Sequence, residues 1–340
     1  MTGARLRSGV EAAAIAVLVS VAIGSALMLV AGHAPGGVWL AMLARTFEEP
    51  YRGEWLFRST GLALTGLSVA LALDAGLFNI GAEGQLTAGV LACAATGAAL
   101  PAGTPAVLAV PACLLAAGAA GAAVGGLIGV LRVTRGAHEV ITSIMLNLIV
   151  GGLALWLGNA VLFVPGATTG YAIAPGAELP PLGSAANAAL VLSLAAVGAM
   201  WWLRERTTWG LAWRAVGAAP EAARAAGIAV GRVQVLVMTG AGALAGLAAA
   251  NLVMGHKHAF EEGLGRGAGL LGISVALLGR VHPVGVLVAA LLLGFLSAGG
   301  LAVGDLIPKE LIEMLQGVVV LAVAATSAWL RRRDQLAGVA

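Results

Sequence analysis

The chain has 340 residues, of which 60% are hydrophobic and only 10% charged, with a mean hydropathy of +0.97. Soluble globular domains carry about 25% charged residues, so this sequence has too little polar material to cover a water-facing surface, and its main solvent must be a bilayer. The small basic excess, 19 Lys and Arg against 16 Asp and Glu, fits membrane topology better than nucleic-acid binding; Cys93 and Cys113 lie in apolar runs without metal-ligand spacing, which argues against a disulfide framework.

At the N-terminus Arg5 and Arg7 precede an apolar run from about Ala12 to Ala31. A signal-peptide core is roughly 7–15 residues long, so this run reads as a first transmembrane helix that stays. Crossing the hydrocarbon core takes about 20 apolar residues. Runs of that kind, separated by Pro, Gly and charged breaks, fall at about 10–32, 56–75, 77–100, 105–131, 138–164, 188–203, 233–255, 265–279, 283–302 and 311–330. The expected fold is an all-α integral membrane protein of about ten transmembrane helices. No low-complexity tail or polar linker marks a second domain, so residues 1–340 read as a single transmembrane domain.

The positive-inside rule orients it. With the N-terminus inside, the inner segments hold 13 of the 19 basic residues, among them Arg132, Arg135, Arg204, Arg206 and Arg331–Arg333, and the outer segments hold 6. Both termini are therefore expected in the cytoplasm. The third span is interrupted by NIGAEGQ and the eighth, Gly263–Gly279, is short and rich in glycine. Each is third of five in its half, which suggests a 5+5 inverted repeat with a substrate path at the broken segments.

The stretch LFNIGAEGQLT, Leu77–Thr87, places a carboxylate and two amides in this apolar setting. An ionised Glu83 must face a protein interior, a watery cavity or the cytoplasmic mouth; Asn79 and Gln85 bring donors and acceptors suited to hydroxyls or base edges. Two readings stand side by side: a helix junction in which Glu83 caps neighbouring amides, and a direct substrate contact. Asp74, ending the second span, reads as solvated or paired.

A second polar cluster opens the fifth span, AHEVITSIMLN, Ala137–Asn147. HEVIT lacks the second His of a zincin, so no metal hydrolase follows. Asn147 shares a helical face with Val140, Ser143 and Ile144, and reads either as an interhelical hydrogen-bonding residue or as pore lining. The outer loop Gly255–Glu262 holds His256, His258, Glu261 and Glu262 without a visible metal geometry, and a solvated or docking loop is the better reading.

The longest inner loop, about 204–232, is more than a connector. WGLAWRAVG makes a short amphipathic helix, Gly217 and Pro220 break it, and PEAARAAG restarts with Pro at a first helical position. The two together form a knob.

GLFNIGAEGQ (Gly76–Gln85), HEVITSIMLN (His138–Asn147), WRAVGAAPEAARAAGI (Trp213–Ile228) and ISVALLGRVHPVG (Ile273–Gly285) resemble, in order, the permeases of bacterial ABC importers for nucleosides and simple sugars, relatives of the ribose and branched-chain amino acid permeases. The resemblance implies a permease subunit of the bacterial inner membrane that works by alternating access. It implies as partners a cytoplasmic ATPase pair that binds ATP and Mg, a second permease subunit, expected to be a paralogue, and an extracytoplasmic binding protein. On this resemblance the knob is the coupling element, with Arg214, Gly217, Pro220, Glu221 and Arg224 at motif positions. The chain itself has no P-loop, so it is not expected to be an enzyme or to hold a cofactor. The expected pathway residues are Asn79, Glu83, Gln85, Ser143 and Asn147. Leu270 and Leu271 depart from the family, whose members often carry Phe-Asp there, and this leaves the substrate open. The alternative mechanism, an ion-gradient-driven carrier, would need Glu83 to titrate or bind a cation.

Overall fold

The structure, a computed structural model, describes residues 21–308 without a break, together with residues 18, 310–318, 321, 322 and 325. The ends of the first and tenth predicted spans, Arg5, Arg7, Lys309 and Arg331–Arg333 lie outside the described residues. The chain divides into two compact units, one of residues up to Trp55 with those from Leu292 onward, the other Leu56–Leu291.

Among the described residues the helices are, in order, α1 (Val21–Val30), α2 (Pro35–Thr46), α3 (Tyr51–Asp74), α4 (Ala82–Ala99), α5 (Ala106–Arg135), α6 (Glu139–Leu157), α7 (Ala189–Arg206), α8 (Thr208–Ala218), α9 (Pro220–Ala225), α10 (Val230–Leu247), α11 (Ala268–Leu278) and α12 (Pro283–Ala302), and residues 310–318 are helical as well. Residues 158–162 and 250–257 extend α6 and α10 as π-helical turns. A helix thus occupies every predicted span between 56 and 302. Among the described residues, α3, α5, α12 and the extended α6 and α10 have both the length and the apolarity to cross a membrane.

The structure adds two features to the sequence reading. Helix α2 occupies a segment assigned to a loop; its 12 residues, begun by Pro35, are shorter than a spanning run. A small antiparallel sheet pairs β1 (Thr169–Ala172) with β2 (Ala259–Glu261), a minor exception to the all-α expectation. It satisfies backbone groups between helices that would otherwise lack partners, and Phe163 stacks on Phe260 beside it at 5.5 Å.

In the first unit, α2 is fixed by Trp39 Nε1 donating to Ser25 at 3.0 Å and by Arg45 bonding Asp305 at 2.7 Å. Phe47, Trp55 and Phe295 form an aromatic group with centroids 5.3–6.0 Å apart.

The second unit is built on a seam of small residues. In lipid the hydrophobic effect does not separate helix from tail, so close packing decides association. On α5, Ala117, Gly121 and Gly125 repeat every four residues, and on α10, Met238, Gly242 and Gly246 do the same. A side-chain carbon at Gly121 or Gly242 would sit 2.2 Å from the other's carbonyl oxygen. Helix α4 joins through Gly89, where a side-chain carbon would sit 2.5 Å from the Gly246 carbonyl oxygen. These close contacts pack α4, α5 and α10 into one three-helix core.

Candidate functional site

The interruption in the third predicted span is a helix break between α3 and α4. Helix α3 ends in a Schellman motif: Leu77 N–H donates to Ala72 and Gly76 N–H to Leu73, at 2.9 and 3.0 Å. Gly76 takes φ +73°, a conformation that a side chain would strain.

The turn after it is held by side chains. Asn79 and Gln85 exchange two hydrogen bonds, at 2.8 and 3.0 Å, and Asn79 also donates to Ser68 on α3. Both amides are fully buried. The structure therefore places these two predicted pathway residues inside the junction, closed on one another.

Neither α4 nor α11 supplies its own N-cap. Each begins at a glycine, Gly81 and Gly267, with no capping side chain, although the first amides of a helix need acceptors. The acceptors come from elsewhere in the fold. Asn147 of α6 takes the Gly84 amide at 2.9 Å and donates to the Ile80 carbonyl at 3.0 Å. Glu83, in the first turn of α4, reaches α11: Oε1 accepts from Gly267 N–H at 2.6 Å and Oε2 from Gly269 N–H at 3.0 Å.

The carboxylate thus lies at the N-terminal ends of two helices and supplies the acceptors that the first amides of α11 lack. The two helices meet backbone to backbone here, since a side-chain carbon at Gly269 would fall 2.4 Å from Glu83 N. Glu83 thus caps neighbouring amides, and it also borders the cavity beside the junction.

Beside the junction lies a cavity of about 450 Å³, whose lining includes Glu83, Thr87, Asn147, Glu261, Glu262 and Arg266. Glu83 and Asn147 are thus brought together at one cavity. Ser143, one turn before Asn147, is fully buried, and its hydroxyl has no hydrogen-bond partner among the described residues. Glu139 is buried and paired with Arg132. The Gly255–Glu262 segment, expected as a loop, is the end of the α10 π-helical extension followed by β2; in it His256 packs on Phe57 at 4.6 Å and Lys257 pairs with Glu261 at 2.8 Å. No cluster of three or more His, Cys, Asp or Glu suited to a metal occurs among the described residues.

The predicted knob consists of α8 and α9, joined at Ala219, with Pro220 opening α9. Thr207 caps α8 by accepting from Gly210 N–H at 3.1 Å. Gly217 lies within α8 rather than at its break. Arg214 Nε donates to the Gly210 carbonyl at 3.1 Å. Glu221 and Arg224 form a solvent-exposed pair at 2.6 Å.

Asp74 resolves as paired: Arg204 donates to both its oxygens, at 2.9 and 3.1 Å, and Trp213 Nε1 donates to Oδ2 at 3.0 Å. Sequence reasoning did not single out Trp213, Arg204's partner role, Ser68, Asn187 or Asn251. Asn251 donates to the Phe57 carbonyl at 2.9 Å and accepts from Asn187 at 3.1 Å. Their one legible signal was a polar residue in an apolar run, which identifies no partner.

Two helix N-termini meeting at a part-buried carboxylate, in a chain this apolar, belong to a multi-pass membrane protein. Residues 51–324 match the family described as the permease component of branched-chain amino acid transport systems, and the chain belongs to that family. It is 34% identical over 324 residues to the guanosine ABC transporter permease protein NupP of Bacillus subtilis, covering 92% of each chain. It is 33% identical to the glucose ABC transporter permease protein TsgB13 of Haloferax volcanii, over 95% of this chain and 89% of the relative. The nucleoside ABC transporter permease protein NupB of Lactococcus lactis is 31% identical, over 91% of this chain and 89% of its own. No solved structure matches significantly. The chain is a permease subunit of an ABC transporter and not itself an enzyme; ATP hydrolysis belongs to a partner ATPase.

Proposed function

We propose that this permease imports a small polar, uncharged solute, a nucleoside or a simple sugar, by alternating access, with the cavity beside Glu83 and Asn147 as part of its path. The observation that carries the reading is the junction of α4 and α11 beside a cavity within the roughly 300–1,000 Å³ range of small-molecule sites. Thr87 and Asn147 offer hydroxyl and amide groups there. The similarity to permeases named for guanosine, nucleosides and glucose supports the same substrate class.

In this reading the whole chain is one permease domain of about ten spans in the bacterial inner membrane, with both termini in the cytoplasm. Asn79, Gln85 and Ser143 shape the path from behind, and Glu83 and Asn147 line it. Helices α8 and α9 meet the ATPase through Arg214, Gly217, Pro220, Glu221 and Arg224. A paralogous second permease completes the pore, as the similarity to both guanosine permease proteins of B. subtilis suggests, and a binding protein delivers the solute. The ion-driven alternative needs Glu83 as a cation ligand, and both its oxygens already accept backbone amides.

The test is co-purification of the tagged protein from gently solubilised membranes, with ATP hydrolysis assayed on the eluate. ATPase and second permease should co-elute, and a nucleoside or sugar with its binding protein should stimulate hydrolysis. Vesicle uptake driven by an ion gradient without ATP would overturn the reading.

A further inference from the structure

The exposed knob and the Glu83 junction are joined by one short segment, 74–85. At its first end Asp74 binds Arg204 from α7 and Trp213 from α8. Asp74 and Arg204 are largely buried, with side-chain exposures of 13% and 18%, and Trp213 is 6% exposed. Two residues on, the backbones of Gly76 and Gly217 touch. A side-chain carbon at Gly217 would fall 2.4 Å from the Asp74 carbonyl oxygen, and one at Gly76 would fall 3.1 Å from Gly217 Cα. Helix α8 is therefore fastened to the end of α3 by an indole hydrogen bond and by backbone packing, and the Arg204 charge ties the end of α7 to the same carboxylate.

The segment beyond that attachment is stiff. The Schellman motif fixes Gly76 and Leu77, Asn79 is tied to Ser68 and Gln85, and Asn147 grips Ile80 and Gly84. At the far end stands Glu83, bonded to α11. A stiff element held at both ends passes displacement from one to the other, whereas a slack loop absorbs it.

We propose that Asp74, with the Gly76–Gly217 contact, is the joint through which movement of α8 reaches the α4–α11 junction, and that Asp74 is a positioning residue for transport. This rests on the reading of α8 and α9 as the ATPase-coupling element. Asp74 touches neither solute nor nucleotide. Its role is to keep α8 and the 74–85 segment moving as one body.

The complex with its ATPase subunits, second permease and binding protein is reconstituted in liposomes, and solute uptake and ATP hydrolysis are measured on the same preparation. Asp74→Asn keeps an acceptor for Trp213 and removes the charge facing Arg204. The variant should retain ATPase subunits and most hydrolysis while uptake per ATP falls about 10-fold, within the range of coupling changes seen along such networks. Asp74→Glu should recover part of that ratio. Trp213→Phe, which keeps packing and loses one hydrogen bond, should lower the ratio less and add little on top of Asp74→Asn.

An unchanged ratio in Asp74→Asn would overturn the joint. So would loss of the ATPase subunits from the purified variant, which would make Asp74 an assembly residue. If Asp74→Asn does not accumulate in the membrane, Trp213→Phe and Gly217→Ala decide on the same ratio, and normal coupling in both would overturn the joint. The coupling reading fails separately: Glu221→Ala with Arg224→Ala would then leave uptake unchanged.

Discussion

Glu83 and Gly267 stand 184 positions apart in sequence and 2.6 Å apart in space, the carboxylate accepting the amide that opens α11. With the second bond to Gly269, one side chain caps a helix whose own N-terminal residue has none to offer. Glu83→Gln keeps the shape, leaves one acceptor where two are needed and removes the charge. The expected loss is about 2 kcal/mol of stability, from the helix-dipole and hydrogen-bond contributions together, with a larger loss for Glu83→Ala. Thermal unfolding of the purified protein in detergent checks it; equal stability of Glu83→Gln and the parent would show that the carboxylate does not hold the junction.

Asn147 caps α4 in the corresponding way, but with a donor as well as an acceptor. Asn147→Ala strands the Gly84 amide and the Ile80 carbonyl, and each unsatisfied buried group costs about 1–3 kcal/mol. Uptake should fall along with unfolding temperature. A variant with normal stability and lost uptake would instead assign Asn147 to solute contact alone.

The α5–α10 seam is expected to be intolerant where α6 is not. Gly242→Ala puts a methyl 2.2 Å from the Gly121 carbonyl oxygen, which only separation of the helices can relieve; overpacking of this kind costs about 1–3 kcal/mol or more. Gly151→Ala, on the exposed face of α6, meets nothing within 4 Å and should be neutral or stabilising by up to about 1 kcal/mol. Comparing membrane yield and unfolding temperature of the two variants is sufficient.

Glu221 and Arg224 are exposed and paired with each other. An exposed pair of this kind adds little to stability, so the proposed ATPase contact can be tested without disturbing the fold. Replacing both by alanine should leave membrane insertion and unfolding temperature intact while ATP-driven uptake collapses. Full uptake in the double variant would remove α9 from the coupling element.

His282, in the turn before α12, is held below its ordinary value near 6.5 by burial and by the charge of Arg204, with Glu205 and Asp74 pulling the other way. A depressed folded-state value means that the unfolded chain takes the proton more readily. Stability from this group is therefore complete above about pH 6.5 and declines as pH falls from there through the folded-state value. His282→Asn should flatten the pH dependence of unfolding temperature in that window. An identical slope in the variant would locate the dependence elsewhere.

The apolar runs, their breaks and the two helices of the knob were legible in the sequence. Membrane solvation demands about 20 adjacent apolar residues, and Pro220 sets a helix start locally, so both signals sit within one short window. The break at 77–81 was legible for the same reason. Helix α2 escaped because its 12 residues fall below the spanning length that the reading used.

The partners of the polar residues were decided by tertiary structure alone. Nothing near Glu83 in the chain indicates Gly267 and Gly269, nothing near Asp74 indicates Arg204 and Trp213, and Asn79 and Gln85 could equally have faced a solute. A buried polar group must find hydrogen bonds, and the sequence shows that need residue by residue. Where it is met depends on which helices the glycine seam of α4, α5 and α10 brings together, and that packing joins positions with no common period in the chain.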